Sequence, residues 1–431
     1  MTLIKTGNEE GFYLDHNQSV RDDFIRTFIP LDCLHHFTSS QAAILYRPDS
    51  KDASLFSSAI QTKETRTVHL SLSLKSDMFA IDVPFMMDSE FQARLRRIPP
   101  PASSAEGLQL ASESKSRKRK SSKRLSSSAD DPELAELTIK FTALVNSHPE
   151  WWTPRRGLSD SDNNLASRGI SKLYSSIPFS MEQGKMFTNP SDTATVRRHG
   201  SSELYVIPPH TRYICSTFAE INCLSEERIK YDLILMDPPW ENKSAKRLRT
   251  YDYLSDAELL KTPVEDLAAE GALIAVWVTN NDRLRAVVET EFFPAWGLVK
   301  EAEWTWVKVT RSGEPVYSVD SLHKKPYEKL VFGRRVGKRV WRKVPDGLVF
   351  VSVPSAIHSH KPNLSTVLKP YLAGGDGARC LELFARSLTS GWTSWGLEVL
   401  RLQNSRLFQV DDRCEVPKCE INVMVDAPCD D

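Results

Sequence analysis

The sequence predicts an α/β fold with a mostly parallel sheet, preceded by a smaller N-terminal domain and a disordered basic linker. Three observations carry this. Between about 204 and 400, short apolar runs alternate with helical patterns; residues 99–131 are Pro/Ser-rich and nearly free of aromatics; residues 1–98 regain apolar clusters such as FIRTFIPLDCLHHF and MFAIDVPFMM. The runs ELYVI, YDLILM, ALIAVWV, WTWVKV, KLVFG, LVFVSV and CLELFA are near-continuously apolar, as strands covered on both faces require.

Taken in order, residues 1–98 read as an N-terminal domain of unknown role, with His35 and His36 as surface histidines. The stretch 99–131 cannot bury enough apolar surface to fold. Inside it KSRKRKSSKR (115–124) puts seven cations in ten residues, either a solvated linker or a nuclear-import signal or nucleic-acid tether. In DPELAELTIKFTALVNSHPEWW (131–152), Leu134, Leu137, Ile139, Phe141, Leu144 and Val145 fall near helical spacing. Residues 132–200 form a helical and loop-rich connecting region, 201–410 the α/β domain, and 411–431 an acidic, loosely ordered tail. Within the α/β domain, SDAELL is a capping box of Ser255 and Glu258. HKPNLSTVLKPYLAGG places Pro362 near the first helical position. Leu364, Val367, Leu368, Tyr371 and Leu372 then form one stripe, stopped by Gly374.

Composition narrows the function classes. Lys+Arg and Asp+Glu stand at 56 each, so no global field favours a polyanion or a membrane, and local patches must do that work. The cysteines at 33, 215, 223, 380, 414, 419 and 429 form no C-x-x-C pair, so neither a disulfide framework nor a metal site is expected, and the pattern suits a reducing intracellular compartment. No run approaches the ~18 apolar residues of a membrane span, and MTLIKTGNEEGFY lacks the apolar centre of a signal peptide.

The chemistry points to LILMDPPWEN (233–242). Ligands of open α/β sheets bind beyond the carboxyl ends of the strands, where Asp237, Thr279-Asn280, Lys308 and Arg386 are expected. Pro238 and Pro239 remove two backbone donors and fix φ. They leave a stiff row of acceptors in the Asp237 carboxylate and the Pro238 carbonyl. The matching ligand brings two N–H donors on one atom, as an exocyclic amino group of a nucleobase does. Trp240 offers a face for stacking, worth roughly 1–3 kcal/mol. The bland reading is a rigid proline turn buttressed by a tryptophan.

D-P-P-W after an apolar strand resembles the catalytic motif of the MT-A (methyltransferase A-seventy) family of adenine-N6 methyltransferases. DPPWENKSAKRLRTYDYLS, HKKPYEKLVFGR, VSVPSAIHSHKPNL and LELFARSLTSGWTSWGLEVL follow in order and are similar to its methyltransferase-like protein 4 branch, over roughly 200–402. The resemblance implies a Rossmann-like S-adenosylmethionine-dependent methyltransferase domain acting on an adenine amino group. On this chain Asp237 and Pro238 would orient the adenine N6, and Pro239 and Trp240 would shape the pocket. Tyr251 would touch the acceptor base. Thr217, Phe218, Asp237, Tyr327, Glu328, Arg386 and Glu398 would face the cofactor. Asn242, Lys243, His360 and Lys361 complete the expected substrate-binding set. Two departures stand out: Leu397 takes the place of a family Asn that holds the ribose, and Thr217 stands where relatives usually carry an acid. GGDG (374–377) reads as a helix stop, not a phosphate loop; a sulfonium donor has no pyrophosphate to cradle.

The implied reaction is an in-line displacement, with Asp237 stabilising the positive charge that develops on nitrogen. The adenine must be out of its stack, single-stranded or flipped. KSAKRLR (243–249), HKK (323–325), GRRVGKRVWRK (333–343) and HSHK (358–361) are the expected polyanion contacts. Nucleic acid is thus the expected partner, RNA of the small nuclear type ahead of DNA, with a 2′-O-methyladenosine acceptor left open. No membrane is expected, and a protein partner is compatible but not required. The nucleus is the expected location, the cytosol a further one. A catalytically silent nucleic-acid-binding subunit and a nuclear scaffold are the alternatives from other classes.

Overall fold

A computed structural model describes residues 4–5, 11–15, 27–30, 65–70, 72–85, 131–153, 164–179, 183–199, 203–241, 253–319, 321, 324–337, 342–410 and 422–424. The basic run 115–124 and the candidates Asn242, Lys243 and Tyr251 lie outside the described residues.

In chain order the strands are β1 (Ile4–Lys5), β2 (Gly11–Tyr13), β3 (Thr27–Pro30), β4 (Thr65–Leu70), β5 (Leu72–Leu74), β6 (Met186–Asn189), β7 (Ala194–Arg198), β8 (Leu204–Ile207) and β9 (Thr211–Cys215). Then follow β10 (Tyr231–Met236), β11 (Ala268–Val278), β12 (Leu298–Lys308), β13 (Tyr327–Arg335), β14 (Leu348–Ser352), β15 (Cys380–Leu383), β16 (Thr393–Gly396), β17 (Phe408–Val410) and β18 (Asn422–Met424). Eleven of them form the main sheet, in the order β1-β2-β14-β12-β13-β11-β10-β15-β16-β9-β6. The run β11-β10-β15-β16-β9 is parallel throughout, as are β2-β14-β12, while β13 runs antiparallel between the two blocks.

Strand β10 shows why the sheet is buried on both faces. Ile234 and Met236 point into one core with Ile274, Val276, Leu383 and Trp395. Leu233 and Leu235 point into the other, with Leu273, Trp277, Phe332, Leu364 and Leu368. Every second residue is needed by a different core, so the run must be apolar at each position.

The longest described helix, α1 (Pro132–Ser147), is capped by Asp131, whose side chain accepts from the amides of Glu133 and Leu134. It buries Leu134, Leu137, Phe141 and Leu144. Ile139, expected on that stripe, is 69% exposed because it falls between the buried turns. The capping box forms as expected: Ser255 Oγ accepts from the Glu258 amide, and Glu258 Oε2 accepts from the Ser255 amide at 2.8 Å. The helix expected from Pro362 onward is shorter. It spans Ser365–Leu368 and becomes a 3₁₀ turn at Lys369–Tyr371, where Pro370 removes a donor. Pro362 therefore precedes the helix, although the apolar stripe is buried in one core.

Three expectations are corrected. The N-terminal segment is not separate from the main sheet: β2 pairs with β14, Gly11 beside Val349. A Cβ on Gly11 would stand 2.4 Å from the Val349 carbonyl oxygen, so this pairing requires glycine. The ELYVI strand (β8) leaves the α/β sheet for a five-stranded sheet, β18-β4-β3-β7-β8, built largely from the segments expected to be N-terminal domain and connecting region. Within the acidic tail, Asn422–Met424 forms β18 on β4.

Candidate active site

The parallel strands set down their chemistry along one edge. Asp237 follows β10, Thr279 follows β11, Lys308 closes β12, Phe384 and Arg386 follow β15, Glu398 follows β16, and Thr217 follows β9. Because β13 is antiparallel, its first residues, Tyr327 and Glu328, reach the same edge from the other direction.

At the motif the backbone folds tightly. The Trp240 amide donates to the Pro238 carbonyl at 2.8 Å, and the Leu254 amide donates to the Pro239 carbonyl at 3.1 Å. The Pro238 oxygen thus keeps one lone pair for a ligand. Trp240 is not the stacking platform expected of it. Its ring is 4% exposed, stacks on Phe292 at 6.1 Å, and donates from Nε1 to the Trp277 carbonyl at 3.0 Å. An apolar ring beside a large core gains more from burial than from waiting at a pocket mouth.

The Asp237 carboxylate heads a chain of alternating charge. Its Oδ2 lies 2.9 Å from Lys361 Nζ, which lies 3.0 Å from Glu328 Oε2; Glu328 Oε1 accepts in turn from Lys308. Lys308 sits 4.7 Å from the Trp306 ring centroid and Lys361 sits 5.6 Å from that of Trp277. Burial alone would raise the Glu328 carboxyl, but the two ammonium groups hold it well below the usual range. Burial would likewise lower Lys361, yet Asp237 and Glu328 outweigh it and push the ammonium up. Glu328 and Lys361 are therefore both charged at pH 7.

Lys361 and His360 were expected to contact a polyanion. In the structure Lys361 is paired with two carboxylates, and His360 is 6% exposed and driven down to about 4 by burial and by Lys361. The acceptor-only cradle expected of the motif consequently contains one donor, the Lys361 ammonium.

Asp237 opens onto a crevice lined among others by Ser359, Lys361, Asn363, Glu382, Phe384 and Arg386. Two of these hold left-handed backbone without being glycine, Ser359 and Phe384, each at φ 61. Such strain costs ~1–3 kcal/mol and clusters where a site demands it. Phe384 stacks on Phe218 at 6.0 Å, and Gly396 lets that bend lie close: a Cβ there would meet the Ala385 oxygen at 2.7 Å. Glu382 was not anticipated, although an acid inside CLELFA was a readable signal. Burial and then Asp237 push its carboxyl up to about 8, so it is neutral at pH 7. Leu74, from the N-terminal segment, supplies part of the wall.

On the other expected cofactor residues, Thr217 precedes the 3₁₀ turn Phe218–Glu220 without a side-chain cap bond. The loops after β9 and β16 are tied by Cys215 Sγ, which donates to the Leu397 carbonyl at 3.2 Å. Arg386 Nε lies 3.5 Å from Glu398 Oε2. Tyr327 is misplaced by the sequence reading. Adjacent strand residues face opposite sides; Glu328 meets Lys361, whereas Tyr327 packs toward Val307 and Val349 beneath α1.

The 333–343 patch is corrected too. Residues 338–341 lie outside the described residues, and the described part, 333–337 and 342–343, starts at the carboxyl end of β13, which is the edge remote from Asp237. There Arg334 is bound to Glu301 and donates to the Gly271 carbonyl, while Arg335 donates to the carbonyls of Glu265 and Ala268.

Among the described residues no cluster of three metal-ligating side chains occurs, and no helix is long and apolar enough to cross a membrane.

Residues 231–398 match the MT-A70 family model. Over 229 residues the chain is 42% identical to human N(6)-adenine-specific methyltransferase METTL4, covering 51% of this chain and 48% of that protein. It is 36% identical over 222 residues to N6-methyladenosine RNA methyltransferase MTA1 of Pyricularia oryzae, covering 49% of this chain and 58% of that one. Over 369 residues it is 32% identical to the DNA N6-methyl methyltransferase of Caenorhabditis elegans, covering 79% and 93%. The chain spans about half the length of the METTL4 relatives it matches, 48% of the human and 45% of the mouse protein.

Proposed function

Because the chain belongs to the MT-A70 family, in the METTL4 branch, we propose that it is an S-adenosylmethionine-dependent methyltransferase acting on the N6 amino group of adenine in nucleic acid. The observation that carries this is the Asp237 carboxylate at the end of β10, opening onto a charged crevice.

The residues present fit such a cofactor. Its carboxylate would find Arg386 and the hydroxyl and amide of Ser359 and Asn363, and its ribose hydroxyls would find Glu398, which lies outside that lining beside Arg386, as acceptor. When bound, it supplies an electrophilic methyl group on sulfur. Glu382, neutral at pH 7, adds no second negative charge beside Asp237.

Asp237 would accept from the adenine amino group and stabilise the positive charge that grows on nitrogen as the methyl passes to it from sulfur, which leaves as a neutral thioether. The alternation Asp237, Lys361, Glu328, Lys308 matters here. A lone ammonium 2.9 Å from the acid would oppose a developing cation, but Glu328 neutralises it. Lys361 then holds the carboxylate in place, and the departing proton passes to Asp237 or to water.

RNA of the small nuclear type is the preferred acceptor, with a 2′-O-methylated adenosine as a candidate target, on the resemblance to the branch. DNA is the second reading, supported by the similarity to the DNA N6-methyl methyltransferase of C. elegans, of which the chain covers 93%. The resemblance to nucleic-acid-modifying proteins and the run at 115–124 support a nuclear location. Transfer of labelled methyl to matched adenine-containing RNA and DNA oligonucleotides, wild type against Asp237→Ala, is the test. Equal incorporation by both proteins would remove the proposal, and the RNA-to-DNA turnover ratio decides between acceptors.

A further inference from the structure

Glu398 stands between two guanidinium groups. Arg386 Nε is 3.5 Å from one carboxylate oxygen, and Arg401 Nε is 4.0 Å from the other. Arg401 is fixed from behind. Its guanidinium packs 5.0 Å from the Tyr174 ring and 5.7 Å from the Phe179 ring, and Nη1 donates to the Ile177 carbonyl at 3.0 Å. Tyr174 belongs to α2 (Leu165–Ser176), and Ile177 and Phe179 follow it. The Arg401 backbone also donates to the Glu398 carbonyl at 2.8 Å.

One atom in this arrangement is unsatisfied: Arg401 Nε is buried without a hydrogen-bond acceptor. A buried N–H without a partner costs free energy, and it is retained where something else supplies the acceptor. The carboxylate of Glu398 is 4.0 Å away, just beyond hydrogen-bond range. Beside it, Leu397 is 46% exposed and offers the ribose nothing polar from its side chain.

We propose that Arg401 is a positioning residue for cofactor binding: its Nε–H takes Glu398 as acceptor when the ribose hydroxyls are bound, and the α2 segment thereby sets affinity for the ribose. This rests on the function proposed above. Arg401 and its supports at 174–179 all lie outside the 231–398 family match. The carboxylate moves from a contact shared with Arg386 to one held by Arg401, freeing Arg386 for the cofactor's anionic end.

The test titrates the full chain with S-adenosylhomocysteine and with its 2′-deoxyribose analogue, for wild type, Arg401→Met and Arg401→Lys. Losing a charged hydrogen bond predicts that Arg401→Met weakens S-adenosylhomocysteine about tenfold and the deoxy analogue by about twofold or less. In turnover, KM for the methyl donor rises while kcat falls by about twofold or less. Arg401→Lys keeps the charge over the rings but not the Nε–H, and should show the same ligand selectivity with a wild-type melting temperature. Equal weakening of both ligands, or no change, in Arg401→Lys would overturn the proposal. Failure of wild type to bind S-adenosylhomocysteine would overturn this and the methyl-donor reading together.

Discussion

The two ends of the main sheet are both rich in charge, yet they use it differently. At the carboxyl edge Asp237 and Lys361 line a crevice, and behind them Glu328 and Lys308 continue the chain of ion pairs. At the opposite edge Arg334 and Arg335 are consumed by Glu301 and by four backbone carbonyls of the surrounding loops, those of Gly271, Tyr371, Glu265 and Ala268. The lesson is that charge density does not mark a site. What marks it is where the strand points when the charge is laid down.

The largest separation of the two edges should come from Asp237→Ala, which is expected to lower methyl transfer ~10²–10³-fold with little change in melting temperature. Single-turnover kinetics beside calorimetry measure both. Arg334→Ala should do the converse: it strands Glu301, 8% exposed, and should cost about 3 kcal/mol of stability with turnover per folded molecule unchanged. A loss of turnover in Arg334→Ala at full folding would dissolve the comparison.

Glu382 gives a pH test. Its folded-state value is raised above the unfolded one, so its contribution to stability is fully present below about 4.5 and is lost as pH rises through about 8. Wild type should lose a few degrees of melting temperature across that window relative to Glu382→Gln. Parallel curves for the two proteins would show that the group is not protonated in the folded state. The smallest effect concerns salt. Lys324, exposed at the carboxyl edge and 5.5 Å from the Tyr317 ring, should reduce the log–log salt slope of oligonucleotide binding by about 1 when changed to Gln, whereas Arg335→Gln should leave it unchanged.

Much of the site was legible because its signals are local. An acid and two prolines after six strand residues announce a strand end, and Ser255 with Glu258 announces a cap within three positions. What escaped depends on distant partners. Whether β13 runs parallel or antiparallel is decided by β11 and β12, and that direction separates Tyr327 from Glu328 and carries 333–343 to the wrong edge. Trp240 reads as a stacking face until Phe292 covers it. Lys361 reads as a phosphate contact until two carboxylates from other strands claim it. Strands as short as β2 and β8 carry no mark of which sheet they will join.

The pairing of β2 with β14 has a consequence for how the protein is made. Gly11 leaves the ribosome long before Val349, its eventual neighbour, exists. Such distant pairings close late, and the β14 border stays available to passing chains until the early segment comes back to it. Clipping that segment should thus harm yield during synthesis more than it harms the finished protein.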